Sequence, residues 1–136
     1  MGKILVNMWE EIGEYIINNN KLPINVIEVG IGKYYDISDY LSKKEGVNIK
    51  KVDINPSRED IIKDDISKPN MNIYKNCNLI YSIRPPYEIQ SFLIDLHNKL
   101  KCDLIIKPLT GETLHQKCHI MKLKNYKKVS FYISTH

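Results

Sequence analysis

Glycine and acidic residues follow one another at spacings that suit an adenosine pocket. Gly30 and Gly32 end a short apolar run, and a backbone without Cβ atoms can turn sharply there and approach a ligand. Asp53 follows 21 residues after Gly32, at the distance where an acid hydrogen-bonds both hydroxyls of a ribose. Asp65 offers an acceptor for an adenine amine, and Ile66 offers an apolar surface to its ring. These residues predict an adenosine site in three pieces.

A second interpretation of the same residues requires no ligand. The two glycines could serve only a tight turn between a strand and a helix. The acids could be solvated residues of surface loops. The sequence leaves both interpretations open.

Arg84 is the candidate for binding an anion. It is one of two arginines in a chain with eighteen lysines, and it follows an apolar strand-like run. Its planar guanidinium suits a carboxylate or a phosphate through two parallel hydrogen bonds, although a salt bridge within the protein would use the same geometry. Tyr87 is either a stacking lid over this position or the first apolar residue of the next helix.

The sequence predicts no metal site. His115, Cys118 and His119 have the spacing of three zinc ligands, but no fourth ligand accompanies them. Together with Cys77 and Cys102, Cys118 gives an odd number of cysteines without a CxxC pair, which is typical of reduced thiols in a cytosol.

Composition restricts the class of protein. The chain has 136 residues, 43% of them hydrophobic and 26% charged, which predicts a single globular domain over residues 1–136. Asn7 interrupts the first apolar run and no run approaches the length of a membrane helix, so we expect a cytoplasmic protein without membrane contact.

The carboxyl-terminal part of the chain is basic. Residues 96–136 contain eight lysines and two acids, which gives a charge of +6 against +4 for the whole chain. Such a region could bind RNA or a phosphate-bearing substrate. A solvated lysine face is the competing interpretation, because no aromatic residues interleave with the lysines in the way that single-strand binding requires.

Hydrophobic periodicity predicts alternating helices and strands. The predicted strands are 24–29, 47–54, 79–83 and 104–106, and the predicted helices are 5–16, 37–44, 57–62 and 89–100, with Ser57 as the cap of the third helix. A turn at 124–127 followed by apolar residues at every second place, Val129, Phe131 and Ile133, predicts a terminal hairpin. The fold class is therefore α/β: a three-layer Rossmann-like arrangement with a mostly parallel sheet of six or seven strands and an antiparallel hairpin at its end.

The order of these motifs resembles a known enzyme class. Glu28-x-Gly30-x-Gly32, Asp53, Asp65-Ile66 and the stretch 79–87 look like the successive motifs of class I S-adenosylmethionine-dependent methyltransferases, whose last strand inserts into the sheet. The RPPYE and KPLTGE stretches are similar to a small archaeal family of uncharacterised proteins with a methyltransferase-like Rossmann fold.

The resemblance implies S-adenosylmethionine as cofactor and a role for each motif residue. It places Glu28 near the methionine amino group, Gly30 and Gly32 beneath the cofactor, Asp53 on the ribose and Asp65 on the adenine. The implied reaction is methyl transfer to a substrate with an anionic group. A non-catalytic module that binds an adenosine ligand or associates with nucleic acid is the alternative.

Two departures from related motifs narrow the expected chemistry. A dinucleotide fingerprint would have Gly or Ala at Tyr35, and Tyr34 stands where a further glycine usually follows in methyltransferases. Amino-methyltransferases have an acceptor before Pro-Pro-Tyr, whereas Arg84 has only donors. NAD and the methylation of an exocyclic amine are therefore less favoured.

Overall fold

A seven-stranded sheet forms the centre of the protein, with helices on both of its faces. The computed structural model describes residues 8–109 and 111–136. The helices are α1 (Met8–Asn18), α2 (Asp36–Ser42) and α3 (Tyr87–Leu100), with a 3-10 turn at Gln116–Cys118. The strands are β1 (Ile24–Val29), β2 (Val47–Asp53), β3 (Ile62–Lys63), β4 (Leu79–Ile83), β5 (Asp103–Lys107), β6 (Lys122–Tyr126) and β7 (Val129–Ser134).

The strand order is β3-β2-β1-β4-β5-β7-β6. Strands β1 to β5 pair in parallel, while β7 pairs antiparallel with both β5 and β6. The last strand is thus inserted between two earlier ones, with Ile105 opposite Ile133. This arrangement confirms the prediction of an α/β fold with a mostly parallel sheet and a terminal antiparallel hairpin.

Both faces of the central strands are buried, which explains their continuous apolar sequences. On one face, α1 and α2 pack on the sheet through residues such as Ile12, Ile16 and Leu41. On the other face, α3 packs through Leu93 and its apolar neighbours, and Ile80 of β4 lies beneath them. Because these strands are parallel, the carboxyl ends of β1, β2, β4 and β5 meet at one edge of the packed sheet.

The structure differs from the predicted elements at several boundaries. Helix α1 begins at Met8, and Leu5 of the predicted helix lies outside the described residues. Helix α2 covers Asp36–Ser42 instead of 37–44, and β2 ends at Asp53. Helix α3 begins at Tyr87, directly after the two prolines, and β5 is one residue longer at each end than predicted.

The predicted short helix at 57–62 is wrong. Residues 57–61 form bends and turns, and Ile62 begins the two-residue strand β3. The Ser57 hydroxyl does not cap a helix; it donates a hydrogen bond to the carbonyl oxygen of Gly32 over 2.6 Å. A tertiary contact explains the difference: the partner of Ser57 lies 25 residues earlier, in the loop that contains Gly30 and Gly32 (the glycine loop), and this contact competes with local helix formation.

The terminal hairpin turns at Lys127, whose φ is 52°. Its first strand, β6, starts at Lys122 and extends through residues predicted as the turn. Strand β6 is an edge of the sheet and is exposed along most of its length, whereas β3 is the opposite edge and has only two residues. The core of the hairpin is Phe131 of β7, which is fully buried.

The longest helix in residues 8–109 and 111–136 is α3, with 14 residues. Within those ranges, no helix has both the length and the apolar character needed to cross a bilayer.

Candidate functional site

A cavity of about 390 Å³ lies at the carboxyl ends of β1 and β2 and at the start of α3. We call it the acidic cavity. Its lining consists of Val29, Gly30, Val52, Asp53, Ile54, Asp64, Asp65, Ile66, Ser67, Pro86, Ile89 and Phe92. Four residues of the predicted adenosine site, Gly30, Asp53, Asp65 and Ile66, are thus brought to one cavity.

Asp53 joins the glycine loop to the end of β2. Its Oδ2 accepts a hydrogen bond from the backbone N–H of Gly32 over 2.7 Å, and its Oδ1 accepts one from Asn55 over 2.8 Å. An ionised carboxylate has about four acceptor positions. Two of them therefore remain for hydroxyl groups of a ligand.

Backbone conformation explains both glycines of the loop. Gly30 has φ 72° and Gly32 has φ 58°, in the left-handed region that other residues rarely adopt. A Cβ atom at Gly32 would meet no atom within 4 Å, and one at Gly30 would make only an ordinary contact with Ser82. The glycines are therefore required for the path of the backbone rather than for space in the protein.

Two neighbouring carboxylates complete the acidic side of the cavity. Oδ1 of Asp65 accepts hydrogen bonds from both the hydroxyl and the backbone N–H of Ser67, and these bonds lower the pKa of Asp65. Oδ2 takes no part in them. Asp64 accepts from the backbone N–H of Asn70 and from the hydroxyl of Tyr74, which fixes the loop that follows β3.

The opposite side of the cavity is apolar, and the sequence prediction named only one of its residues. Ile66 is buried, and the partly buried Ile89 and Phe92 of α3 lie along the same cavity. Ile89 and Phe92 are at i and i+3 on the helix, and this spacing predicted them as core residues. Their position shortly after Pro86 was the signal in the sequence that could have placed them at the site.

Charge is uneven around this cavity. Among the described residues that line it there are three carboxylates, Asp53, Asp64 and Asp65, and no lysine, arginine or histidine. A ligand that carries positive charge is favoured in such a place, and a phosphate is disfavoured.

Glu28 does not line the acidic cavity. It is 1% exposed and lies on the face of the sheet that α1 and α2 cover, where Oε1 accepts a hydrogen bond from the Tyr81 hydroxyl over 2.6 Å. Burial raises the pKa of Glu28 to about 8, although the Tyr81 hydroxyl and the Lys51 ammonium act in the lowering direction. Its carboxyl group is therefore buried between the sheet and the helices α1 and α2.

Arg84 also lies outside the acidic cavity, directly after β4. It adopts a left-handed conformation with φ 53°, and its backbone N–H donates to the carbonyl oxygen of Lys107 over 2.6 Å. The guanidinium carbon is 4.9 Å from the centre of the Trp9 ring and 5.1 Å from that of Tyr34, within the range of cation–π interactions. A salt bridge within the protein, the alternative role for Arg84, does not occur among the described residues.

A second cavity of about 280 Å³ lies beside Arg84, and we call it the basic cleft. Its lining consists of Trp9, Arg84, Lys107, Pro108, Leu109, Lys128, Val129 and Ser130. The sequence prediction missed Lys107 and Lys128. Lys107 is the last residue of β5, so its place at the carboxyl end of a strand was a usable signal.

Tyr87 is 45% exposed at the first turn of α3. Its ring centre is 4.7 Å from that of His115, and Tyr87 lines neither the acidic cavity nor the basic cleft. The two predicted roles for Tyr87 are thus resolved only in part: it begins the helix, and its ring contacts a histidine.

The Pro-Pro segment between the two cavities is held by a buried glutamine. Gln90 is fully buried; its Nε2 donates to the carbonyl oxygen of Pro85, and its Oε1 accepts from the backbone N–H of His115 over 2.8 Å. The thiol of Cys118 contacts the Gln90 carbonyl oxygen. One side chain therefore fixes both the RPPYE stretch and the start of the 3-10 turn.

No group of three or more His, Cys, Asp or Glu side chains in the described parts of the chain is arranged to hold a metal ion. Nδ1 of His115 accepts from the backbone N–H of Lys117, and Cys118 is buried. The Cys118 thiol contacts the Gln90 carbonyl oxygen and Nδ1 of His119 contacts the carbonyl oxygen of Gln116, so His115, Cys118 and His119 all have local partners in the protein. Residue 110 of the KPLTGE stretch lies outside the described residues.

A larger cavity of about 550 Å³ lies at the other end of the strands, near Asn25, Asn48 and Asn76. Residues at the starts of β1 and β2 line this cavity. Ligands of parallel sheets bind beyond the carboxyl ends of strands, so the acidic cavity is the better candidate despite its smaller volume.

Comparison with known proteins identifies relatives along the whole described chain. A model of the uncharacterised protein family UPF0146 matches residues 9–136. The UPF0146 protein of Methanothermobacter thermautotrophicus is 44% identical over 125 residues, which cover 92% of this chain and 93% of the relative. Its counterpart in Methanocaldococcus jannaschii is 38% identical over 139 residues, with 96% and 94% covered, and that of Pyrococcus horikoshii is 41% identical over 115 residues, with 79% and 85% covered. The resemblance to a small archaeal family is confirmed, and the chain belongs to the uncharacterised protein family UPF0146.

Proposed function

We propose that the protein binds S-adenosylmethionine in the acidic cavity and methylates a substrate that carries an anionic group. The observation that carries this proposal is the convergence of Gly30, Asp53, Asp65 and Ile66 at one cavity beyond the carboxyl ends of β1 and β2. The insertion of β7 between β5 and β6 also agrees with the last-strand insertion that the methyltransferase resemblance implies.

The donor set of the cavity fits this cofactor. Asp53 has acceptor positions for the ribose hydroxyls beyond those that Gly32 and Asn55 occupy. Asp65 can accept from the adenine amine through Oδ2, and Ile66 and Phe92 provide an apolar lining for the ring. Three carboxylates also favour a cationic nucleoside over a phosphorylated one.

NAD fits the same residues less well. Its pyrophosphate would require a helix that begins close to the glycine loop and attracts anions. Helix α2 has seven residues, begins at Asp36, and carries both Asp36 and Asp39 in its first turn. Negative charge there opposes a second negative charge.

The chain's own residues would bind and orient the reactants. When bound, S-adenosylmethionine supplies an electrophilic methyl group on a sulfonium ion. Asp53 and the glycine loop would hold the nucleoside, while Arg84, after β4, would hold the anionic group of the substrate. Rate enhancement would come from this positioning.

A non-catalytic binding module is the second candidate. The observation in its favour is that no Asp, Glu or His side chain among the described residues lines the basic cleft, so no general base of those types faces it. Transfer of the methyl group from S-adenosylmethionine to an added acceptor with an anionic group, which leaves S-adenosylhomocysteine, would distinguish the enzyme from the module.

Thermal unfolding with separate ligands tests the proposal. S-adenosylmethionine and S-adenosylhomocysteine should raise the Tm, and NAD should raise it far less, since a ligand at 100 times its Kd stabilises the native state by about 2.7 kcal/mol. Asp53→Ala should abolish most of the response. Asp95→Ala is the matched control, because Asp95 is an exposed acid on α3 that pairs with Lys117 away from the cavity. A response that survives in Asp53→Ala, or a preference for NAD, would refute the assignment.

A further inference from the structure

We propose that the basic cleft is a binding site for a phosphate group of a small molecule. Arg84, Lys107 and Lys128 would supply its charge. That this phosphate belongs to the methyl acceptor rests on the proposed function, whereas the binding of phosphate to the cleft does not.

The lining of the cleft is positively charged. Two carboxylates lie outside this lining: Asp36 is beside Arg84 in a neighbouring cavity, and Glu11 accepts from the backbone N–H of Lys128. Among its described lining residues there are three cations and no carboxylate. Elsewhere in the described chain, Lys51, Lys117, Lys127 and Arg58 each form an ion pair with an acid. Arg84, Lys107 and Lys128 form no such pair with an acid of the described residues. A phosphate monoester, with a charge of about −2 at pH 7, matches such a site better than a single carboxylate does.

Backbone contacts bring the three cations together from separate elements. Arg84 follows Ile83, which is the register partner of Lys107, and the Arg84 N–H donates to the Lys107 carbonyl oxygen. The backbone N–H of Lys128 donates to Oε1 of Glu11 over 3.0 Å, which anchors the hairpin turn against α1. The site is therefore built on the ends of β4 and β5 and on the hairpin turn directly before β7.

Two further features of Arg84 and Lys107, which the backbone hydrogen bond holds close together, fit an anion site. Arg84 adopts a left-handed backbone conformation, which is rare for a residue with a side chain and is often found at ligand sites. Burial lowers the pKa of Lys107, and the neighbouring Arg84 guanidinium lowers it further. A bound anion would offset this repulsion between like charges.

The size and position of the cleft favour a small ligand next to the acidic cavity. A volume of about 280 Å³ accommodates a phosphate with a small organic group, and an extended nucleic acid would need a longer groove. Arg84 lines the cleft and Pro86, two residues later, lines the acidic cavity. The positively charged methyl donor and the negatively charged methyl acceptor would therefore bind on the two sides of the segment from Arg84 to Pro86.

Calorimetric titration of the full chain with inorganic phosphate, acetate and a five-nucleotide oligoadenylate tests this site. The variants are Arg84→Lys, which keeps the charge but loses the planar fork, Lys107→Met, which keeps the aliphatic stem, and Lys128→Gln. Lys124→Gln is the matched control, because Lys124 is an exposed lysine on β6 outside the cleft. Each variant is also titrated with S-adenosylmethionine.

We expect phosphate to bind the wild-type chain more tightly than acetate. Its affinity should fall about tenfold or more in Arg84→Lys and Lys107→Met, fall in Lys128→Gln, and change less than about twofold in Lys124→Gln. Equal losses in Lys124→Gln would show a response to net charge alone and would overturn the site, as would a wild-type chain that does not bind phosphate or that binds only the oligonucleotide. Phosphate binding with this variant pattern but without affinity for S-adenosylmethionine would support the site and refute the proposed function.

Discussion

The backbone N–H of Gly32 donates a hydrogen bond to Oδ2 of Asp53 over 2.7 Å, across 21 residues of sequence. This contact connects the loop after β1 with the end of β2. Gly30 adds a second connection, because its N–H donates to the carbonyl oxygen of Val52 over 2.8 Å. The two pieces of the candidate cofactor site are thus held together before any ligand binds, and their geometry depends on the backbone path through Gly32.

Gly32→Ala should lower the free energy of unfolding by about 1 kcal/mol, because φ 58° is unfavourable for a residue with a Cβ atom. The space around Gly32 is open, so the cost is conformational only. Gly32→Asn should cost less, since asparagine tolerates the left-handed region. Urea unfolding of the two variants measures the difference, and equal stabilities would contradict this explanation.

Glu28 should make the protein less stable as pH rises. Burial raises its pKa from 4.5 to about 8, so the native state binds this proton more tightly than the unfolded chain does between those values. The free energy of unfolding should therefore decrease with rising pH from about pH 5 to about pH 8, with a slope of up to ~1.4 kcal/mol per pH unit from this group.

Glu28→Gln isolates that contribution. The glutamine can still accept the hydrogen bond of the Tyr81 hydroxyl, but it does not titrate. Denaturant unfolding at several values between pH 5 and pH 8 should give a flatter profile for the variant than for the wild type. Parallel profiles would mean that Glu28 does not take up a proton on folding.

The left-handed backbone at Arg84 should make the stability of variants at this position depend on whether they carry a Cβ atom. Arg84→Gly and Arg84→Ala both remove the guanidinium, yet only glycine accepts φ 53° without cost. We expect Arg84→Gly to be more stable than Arg84→Ala by about 1 kcal/mol. Thermal unfolding of the pair provides the measurement, and an alanine variant that equals or exceeds the glycine variant would contradict a left-handed Arg84.

Gln90→Met should be strongly destabilising, because it leaves the N–H of His115 and the carbonyl oxygen of Pro85 without their buried partner. An unsatisfied buried polar group costs about 1–3 kcal/mol. Gln116→Met is the control at an exposed position of the 3-10 turn. If both variants unfold at the same denaturant concentration, Gln90 does not hold the Pro-Pro segment.

Local patterns predicted the central strands and α3 well. The strands at 24–29 and 79–83 were correct because apolar residues with Gly30 or Pro85 after them form few other structures. The i, i+3, i+4 pattern from Ile89 to Leu100 predicted α3 except for its first two residues, and Tyr87 at its start was one of the two roles predicted for that residue. These elements depend mainly on which residues avoid water.

The errors and omissions concern contacts between distant residues. Ser57 was predicted as a helix cap, yet its hydroxyl bonds to Gly32 O. Lys128 reaches the basic cleft because β7 is inserted beside β5, and only the strand order reveals that neighbourhood. The implied role of Glu28 at the cofactor stays a prediction; strand alternation turns its side chain toward Tyr81, on the face of the sheet that α1 and α2 cover.

The two edges of the sheet bear on how the protein behaves at high concentration. An unpaired strand edge is a template on which another chain can add, and this is a route to aggregation. Here one edge, β3, offers only two residues, and the other, β6, carries Lys122 and Lys124 along an exposed strand. If β6 of a second molecule paired with this edge, the lysines of the two strands would lie close together, and their repulsion would oppose the pairing. We therefore expect Lys122 and Lys124 to disfavour the growth of fibres at this edge of the sheet.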